Sequence, residues 1–226
     1  MLERQAETCW TLIRGAASGR DVDRQEFARR YMPAVHAYFS ARWANSALLS
    51  EVDDAIQEVF VACFREHGVL TKVDSRHPSG FRALLFSVTR NIALHLERTR
   101  QRRVARIRDG VVDPDRTPAA MTLSRHFDRS YAQSIMSMAR ERMQLAAQDD
   151  ASRRRVEILR LRFEDGLAIR QIAELWMTAA DAIHRDYARA RQEFRAALSE
   201  TVLESEGCSP EHLQEECQRL LRMLRN

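Results

Sequence analysis

Leu159-Arg160-Leu161-Arg162-Phe163-Glu164-Asp165-Gly166-Leu167, then Gln171-Ile172-Ala173-Glu174, then Ala182-Ile183-His184-Arg185-Asp186-Tyr187, lays out three short helical segments separated by two breaks. Val156, Leu159 and Leu161 recur at helical spacing, and Glu164-Asp165-Gly166 ends that helix in a bend. Ile169, Ile172, Ala173 and Leu175 give a short second helix. A tight turn leads to a third, Ala179–Leu198, carrying Ala182, Ile183, Tyr187, Ala190 and Phe194. Ala173 is small where two helices must cross closely, and Ile183 is the apolar anchor of the helix after the turn. This is a helix-turn-helix pattern, whose last helix presents its N-terminal residues to base edges in a major groove. A plain three-helix bundle gives the same periodicity.

Outward from this segment the pattern stays helical. Glu7–Ala17 carries Trp10, Ile13 and Ala17, and Asp21–Trp43 carries Phe27, Tyr31, Val35, Tyr38 and Phe39, with Pro33 expected to kink or restart it. Ser50–His67 opens on a serine cap candidate with Glu51, Asp53 and Asp54 in the first turn. Its stripe is Val52, Ile56, Val59, Phe60, Cys63 and Phe64. Gly68–Gly80 reads as a loop, and Phe81–Arg108 as a helix on Phe81, Leu84, Leu85, Val88, Ile92 and Leu96. Asp109–Thr122 reads as a linker. Arg125–Ala147 is a helix with Phe127, Tyr131, Ile135, Met138, Met143 and Leu145, closed by Gln148-Asp149-Asp150. Ser209-Pro210 is expected to cap a final helix whose stripe is Leu213, Cys217, Leu220, Leu221 and Leu224. A helix of that length is marginal alone. It should dock on the preceding bundle or the connector, or else regulate by covering a binding face.

The expected fold class is therefore all-α. Two helical domains, 1–108 and 151–200, are joined by a partly helical linker, 109–150, and followed by a helical extension, 201–226.

Composition agrees. Seven glycines and five prolines in 226 residues are too few for the turns of a β-sandwich or barrel. No window approaches a membrane span, and Met1-Leu-Glu-Arg-Gln lacks an apolar signal core, so the expected location is the cytoplasm. Cys9, Cys63, Cys208 and Cys217 form no CxxC and accompany no histidine pair at metal spacing, so free thiols are expected, with no metal and no cofactor.

The net charge is +4, and Lys72 is the only lysine beside 35 arginines. Genome base composition explains that ratio as readily as function does, so position matters more. Arg98, Arg100, Arg102, Arg103, Arg106 and Arg108 occupy eleven residues with no acid among them. A one-sign run repels itself unless an anion lies beside it, and nucleic acid is the natural one; a solvated helix end is the other reading. Asp53, Asp54, Gln57 and Glu58 form an acidic edge beside an apolar stripe. No histidine or glycine-rich phosphate loop accompanies it. It reads as a protein-docking edge or as a solvated, dipole-favoured cluster, not as an acid–base pair. Nothing in the chain points to an enzyme.

Together these segments resemble the extracytoplasmic-function (ECF) group of the sigma-seventy family, the small two-domain initiation subunits of bacterial transcription. Asp53-Asp54-Ala55-Ile56-Gln57-Glu58-Val59-Phe60 is similar to the acidic core of sigma region two. Phe81-Arg82-Ala83-Leu84-Leu85-Phe86-Ser87-Val88-Thr89-Arg90-Asn91 is similar to its following helix, with Leu84 in place of the usual tryptophan. Leu159–Leu198 is similar to region four. The resemblance covers about two thirds of the chain. It departs at the helix-turn-helix turn, where Met177 and Thr178 stand in place of glycine and isoleucine, and in Ala179-Ala180-Asp181, which is poor in groove-reading donors.

The resemblance implies a subunit without catalysis that docks on core RNA polymerase through its β′ clamp and β flap and directs promoter recognition and opening. Polymerase binding would fall on Asp53, Asp54, Gln57 and Glu58. Minus-ten DNA would fall on Arg90, Asn91, Arg98, Arg102 and Arg103, with Asp74, Ser75, Arg76 and His77 in a loop that captures a flipped base. Minus-thirty-five DNA would fall on Ala179, Ala180, Asp181, His184, Arg185 and Arg189. An anti-sigma factor or other regulator is a further implied partner. The competing reading is a helix-turn-helix regulator whose N-terminal bundle senses or dimerises. That bundle would need neither the acidic nor the basic helix.

Overall fold

A computed structural model of the chain describes residues 9–65, 68–72, 80–105, 119–206 and 210–225. The described residues form α-helices and short 3-10 turns, with no strand among them. No helix among them is long and apolar enough to cross a membrane. The chain divides into two compact units. One holds the described residues up to Ser134 together with those from Val202 onward; the other is Ile135–Thr201.

The first unit contains α1 (Cys9–Ala17), α2 (Asp21–Trp43), α3 (Val52–Phe64), α4 (Gly80–Ala105), the first half of α5 (Ala119–Ala146) and α9 (Leu213–Arg225). Its core is aromatic. Phe27 lies 4.8 Å from Tyr31, 6.0 Å from Phe60, 5.2 Å from Phe64 and 5.5 Å from Phe81. These distances suit edge-on and tilted ring packing. The α2 stripe Phe27, Tyr31, Val35, Tyr38 and Phe39 is buried as its spacing predicts. Pro33 does not restart α2 as a separate element: one helix runs through it, and the proline is exposed. The helix expected within the linker contributes directly to this core, since Phe127 packs 5.3 Å from Phe86 and Tyr131 stacks 6.0 Å from Tyr31.

Several arginines serve this packing. Arg24 donates to the Ala16 carbonyl at 3.2 Å and the Phe64 carbonyl at 3.1 Å, tying α1 and α3 to α2. Gly15 makes room for the Arg20–Asp23 ion pair between α1 and α2. A Cβ there would lie 1.7 Å from an Asp23 carboxylate oxygen.

On α2, Glu26 accepts from Arg29 at 2.9 Å and Arg30 at 2.5 Å, and these bonds lower its carboxyl to about 2. A carboxylate depressed in the folded state stabilises above its unfolded pKa and loses that contribution as pH falls. Glu26→Gln should therefore destabilise near neutrality, by at most about 1 kcal/mol because the pair is partly solvated. The difference from wild type should vanish between pH 4.5 and about 2. Urea midpoints across that range measure it; a pH-independent difference would contradict the ion-pair account.

Ser50 is not the cap of α3. A 3-10 turn, Ala47–Glu51, precedes the helix and is capped by Ser46, whose hydroxyl accepts from the Leu48 N–H. The Ser50 hydroxyl instead donates back to the Ala47 carbonyl at 3.2 Å. Cys63 and Cys217 are free thiols, and burial pushes Cys63 up to about 12, leaving it unreactive. Cys9 and Cys208, the Trp10 side chain and residues 73–79 lie outside the described side chains.

The second unit holds α6 (Asp150–Phe163), α7 (Ile169–Leu175) and most of α8 (Ala180–Glu206). Asp149, expected to end the preceding helix, also caps α6: it accepts from the Ser152 N–H at 2.6 Å while its own N–H donates to the Ser152 hydroxyl. The three helices close on Ile158, Leu161, Ile172, Ala173 and Ile183. Ile158, omitted from the expected anchors, is fully buried. Val156 and Leu159 instead pack against a second cluster of Met143, Ala190 and Ala197. Leu145, expected on the α5 stripe, is exposed, and Ala139 is buried in its stead.

Gly166 takes φ +70°, and the Leu167 N–H crosses the bend to the Leu161 carbonyl at 2.9 Å. Met177 takes φ +48°, the left-handed region, at the turn between α7 and α8. A side chain there costs about 1–2 kcal/mol, and Met177 is 94% exposed, so it gains little packing in return. Met177→Gly should raise the stability of this unit by about 0.5–1 kcal/mol after the extra unfolded-state entropy of glycine. Gly166→Ala should lower it by a similar amount. Denaturation midpoints of the two variants should move in opposite directions.

The tail differs from expectation in register. Pro210–His212 is a turn, and α9 begins at Leu213. Leu220 and Met223 are its buried residues, whereas Leu221 is 43% exposed. The helix groups with the first unit, as does α8 from Val202 onward.

Candidate nucleic-acid and protein-docking surfaces

The acidic edge lies on α3. Val52, Ala55, Ile56, Val59, Phe60 and Cys63 face the core. That leaves Asp53, Asp54, Gln57 and Glu58 exposed on the opposite side. Sequence reasoning missed Val61, one turn beyond Gln57 and 64% exposed. Its signal was available: a valine out of phase with the apolar stripe. The carboxylate edge thus has an exposed apolar residue at one end.

The basic surface lies on α4. Ser87, Arg90, Asn91, His95, Arg98 and Arg102 are all exposed and recur at three and four residues, so they share one stripe. His95 belongs to it and was missed, although its spacing from Asn91 and Arg98 gives it away. Arg98 and Arg102 have no acidic partner among the described residues. Arg100 points elsewhere: its guanidinium lies 3.2 Å from the Glu51 carboxylate, so this member of the run is paired. Arg103 is within α4, but its side chain, like Arg106, Arg108 and the loop residues Asp74, Ser75, Arg76 and His77, lies outside the described set.

Two ion pairs set the rotation of α4. Arg42 donates twice to Glu97, at 2.6 and 2.8 Å, and the Trp43 indole donates to the same carboxylate at 2.8 Å. The Glu97 bond raises the Arg42 guanidinium further above its ordinary value. At the other end Arg82 pairs with Asp128 of α5. Glu97 is thereby turned to α2, which keeps a carboxylate off the basic stripe.

In the second unit, Ala179, Asp181, His184 and Arg185 are exposed at the start of α8. Ala180, expected among them, packs against the core instead. Arg189 is exposed but lies 3.6 Å from the Glu193 carboxylate, which also accepts from Arg155 at 2.8 Å. Arg154 holds the turn. It stacks 4.7 Å over Trp176, donates to the Thr178 hydroxyl at 3.3 Å and approaches Asp186 at 3.5 Å. Thr178 thus has a specific partner at the position where the resemblance departs. Arg170 of α7, also missed, is exposed beside this turn and lines a shallow groove with Glu174, Met177 and Thr178. Among the described residues no group of histidine, cysteine and carboxylate side chains could hold a metal ion.

No protein-family model, curated protein or solved structure matches this chain.

Proposed function

We propose that this chain is a bacterial RNA polymerase sigma factor of the ECF type, acting in the cytoplasm as a promoter-specificity subunit with no catalytic step of its own. Asp53, Asp54, Gln57 and Glu58 dock on core polymerase. Arg90, Asn91, Arg98, Arg102 and Arg103 engage minus-ten DNA, with the Asp74–His77 loop taking the flipped base. At the start of α8, Ala179, Asp181, His184 and Arg185 face minus-thirty-five DNA, and Arg189 contacts its phosphates.

The observation that carries this reading is the pair of oppositely charged faces on α3 and α4 within one unit. One suits a basic protein surface and the other a nucleic acid, the two ligands a promoter-specificity subunit must hold together. The helix-turn-helix core of the second unit alone fits a simple regulator equally well, but such a regulator has no use for the acidic face.

Run-off transcription with purified core polymerase over a promoter library tests the proposal. Chain-dependent transcripts from a common promoter motif are the expected result. Sequence-specific DNA binding without transcripts or core binding would favour the helix-turn-helix regulator.

A further inference from the structure

Many arginines of this chain meet carboxylates. In the second unit alone, Arg140 meets Glu164, Arg142 meets Glu200, Arg154 meets Asp186 and Arg155 meets Glu193. One face of α5, like the α4 stripe, carries arginines without such a partner. Thr122, Arg125, His126, Arg129 and Gln133 are all exposed at helical spacing. Neither Arg125 nor Arg129 has an acidic partner among the described residues. The neighbouring carboxylate, Asp128, is turned inward and neutralised by Arg82.

The face is also rigid. Phe127 and Tyr131, on the opposite side of the same turns, are fully buried. It carries no apolar side chain, so it lacks the aromatic or aliphatic centre a protein partner would need. Interfaces with nucleic acid are polar, basic and arginine-rich instead.

We infer that Arg125 and Arg129 of α5 form a phosphate-contacting surface for duplex DNA, separate from the α4 stripe and from the start of α8. The inference rests on the proposed function for its place in initiation, where it would add upstream or downstream backbone contacts without reading sequence. Its chemistry requires only that the chain bind DNA.

The test is Arg125→Ala/Arg129→Ala in the full-length protein. Binding to a duplex promoter fragment is measured across a salt series, once with the chain alone and once with core polymerase added. Two lost phosphate contacts should flatten the log–log salt dependence by about 1.8. Arg125→Lys/Arg129→Lys should restore most of the slope, because charge is the operative property. Arg140→Ala removes an exposed but paired arginine and should leave the slope unchanged. Circular dichroism checks that helicity is retained.

If core polymerase does not bind, the proposed function fails, and the slope for the chain alone still decides the inference. An unchanged slope in the double variant overturns it. So does an equal change on Arg140→Ala, or an absence of duplex binding by the wild-type chain in both settings.

Discussion

Replacing Glu97 by alanine should destabilise the first unit by about 3 kcal/mol, among the largest single-residue effects expected in this chain. The Glu97 carboxylate accepts three bonds, two from Arg42 and one from the Trp43 indole, and the two charged side chains are only 13% and 14% exposed. Its removal leaves a guanidinium and an indole N–H desolvated without a partner. That cost exceeds the net worth of the pair itself. Glu97→Gln keeps an acceptor for Trp43 and should lose about half as much. Replacing both partners, Arg42→Met with Glu97→Leu, should recover most of the loss, since no buried charge remains. Urea unfolding, with hydrogen exchange of the α2 and α4 amides, reads all three. A loss below 1 kcal/mol on Glu97→Ala would show that water solvates Arg42 in its place. The same variants test a functional consequence: with α4 free to rotate, the Arg90–Arg102 stripe loses its fixed orientation, so DNA binding should weaken even where the chain remains folded.

Glu97 also marks where sequence reading stops. It could be seen only as the acid just outside a basic run, because the residues that explain it are 54 and 55 positions away. Periodicity carries local information well. The α2 stripe and the trihelical arrangement around Ile183 follow from three- and four-residue spacing, and so does the exposure of Asp53, Asp54, Gln57 and Glu58. It fails where two apolar registers compete. In α9 both Leu221 and Met223 fit a helical stripe, and burial falls on Met223. In α6, Leu159 and Ile158 are adjacent, and the central core takes Ile158. Caps fail for a different reason. Ser50 is a good cap by type, but a 3-10 turn capped by Ser46 precedes α3, whose own N-cap, Glu51, makes no side-chain cap bond. Within the charged run one residue, Arg100, turns to Glu51. A helix distributes consecutive residues around its circumference, so a run in sequence is never a single face.

Reversing the acidic edge, as Asp54→Arg with Glu58→Arg, should abolish association with core polymerase while leaving the fold intact. Both side chains are exposed and neither supports the core beneath them, where Ala55, Ile56 and Val59 are buried. Helicity and unfolding midpoint should therefore stay close to wild type. Two reversals replace attraction by repulsion against a basic docking surface, and like charges placed face to face cost several kcal/mol. A loss of about a hundredfold or more in Kd follows, at ~1.4 kcal/mol per tenfold. Asp54→Asn with Glu58→Gln should give a smaller loss, because neutralisation removes attraction without adding repulsion. Raising the ionic strength should weaken the wild-type complex more than the neutral variant. The readout is co-purification with core polymerase and competition against the wild-type chain. Val61 supplies the control on mechanism. If the edge is a docking surface with an apolar end, Val61→Asp should weaken binding as well, and its effect should persist at high salt. If the acids are only solvated charges that favour the start of α3, all of these variants will bind polymerase as the wild type does, or none will bind at all. In either case the α3 edge would lose its assignment, while the DNA-binding role of α4 would remain to be judged on its own salt dependence.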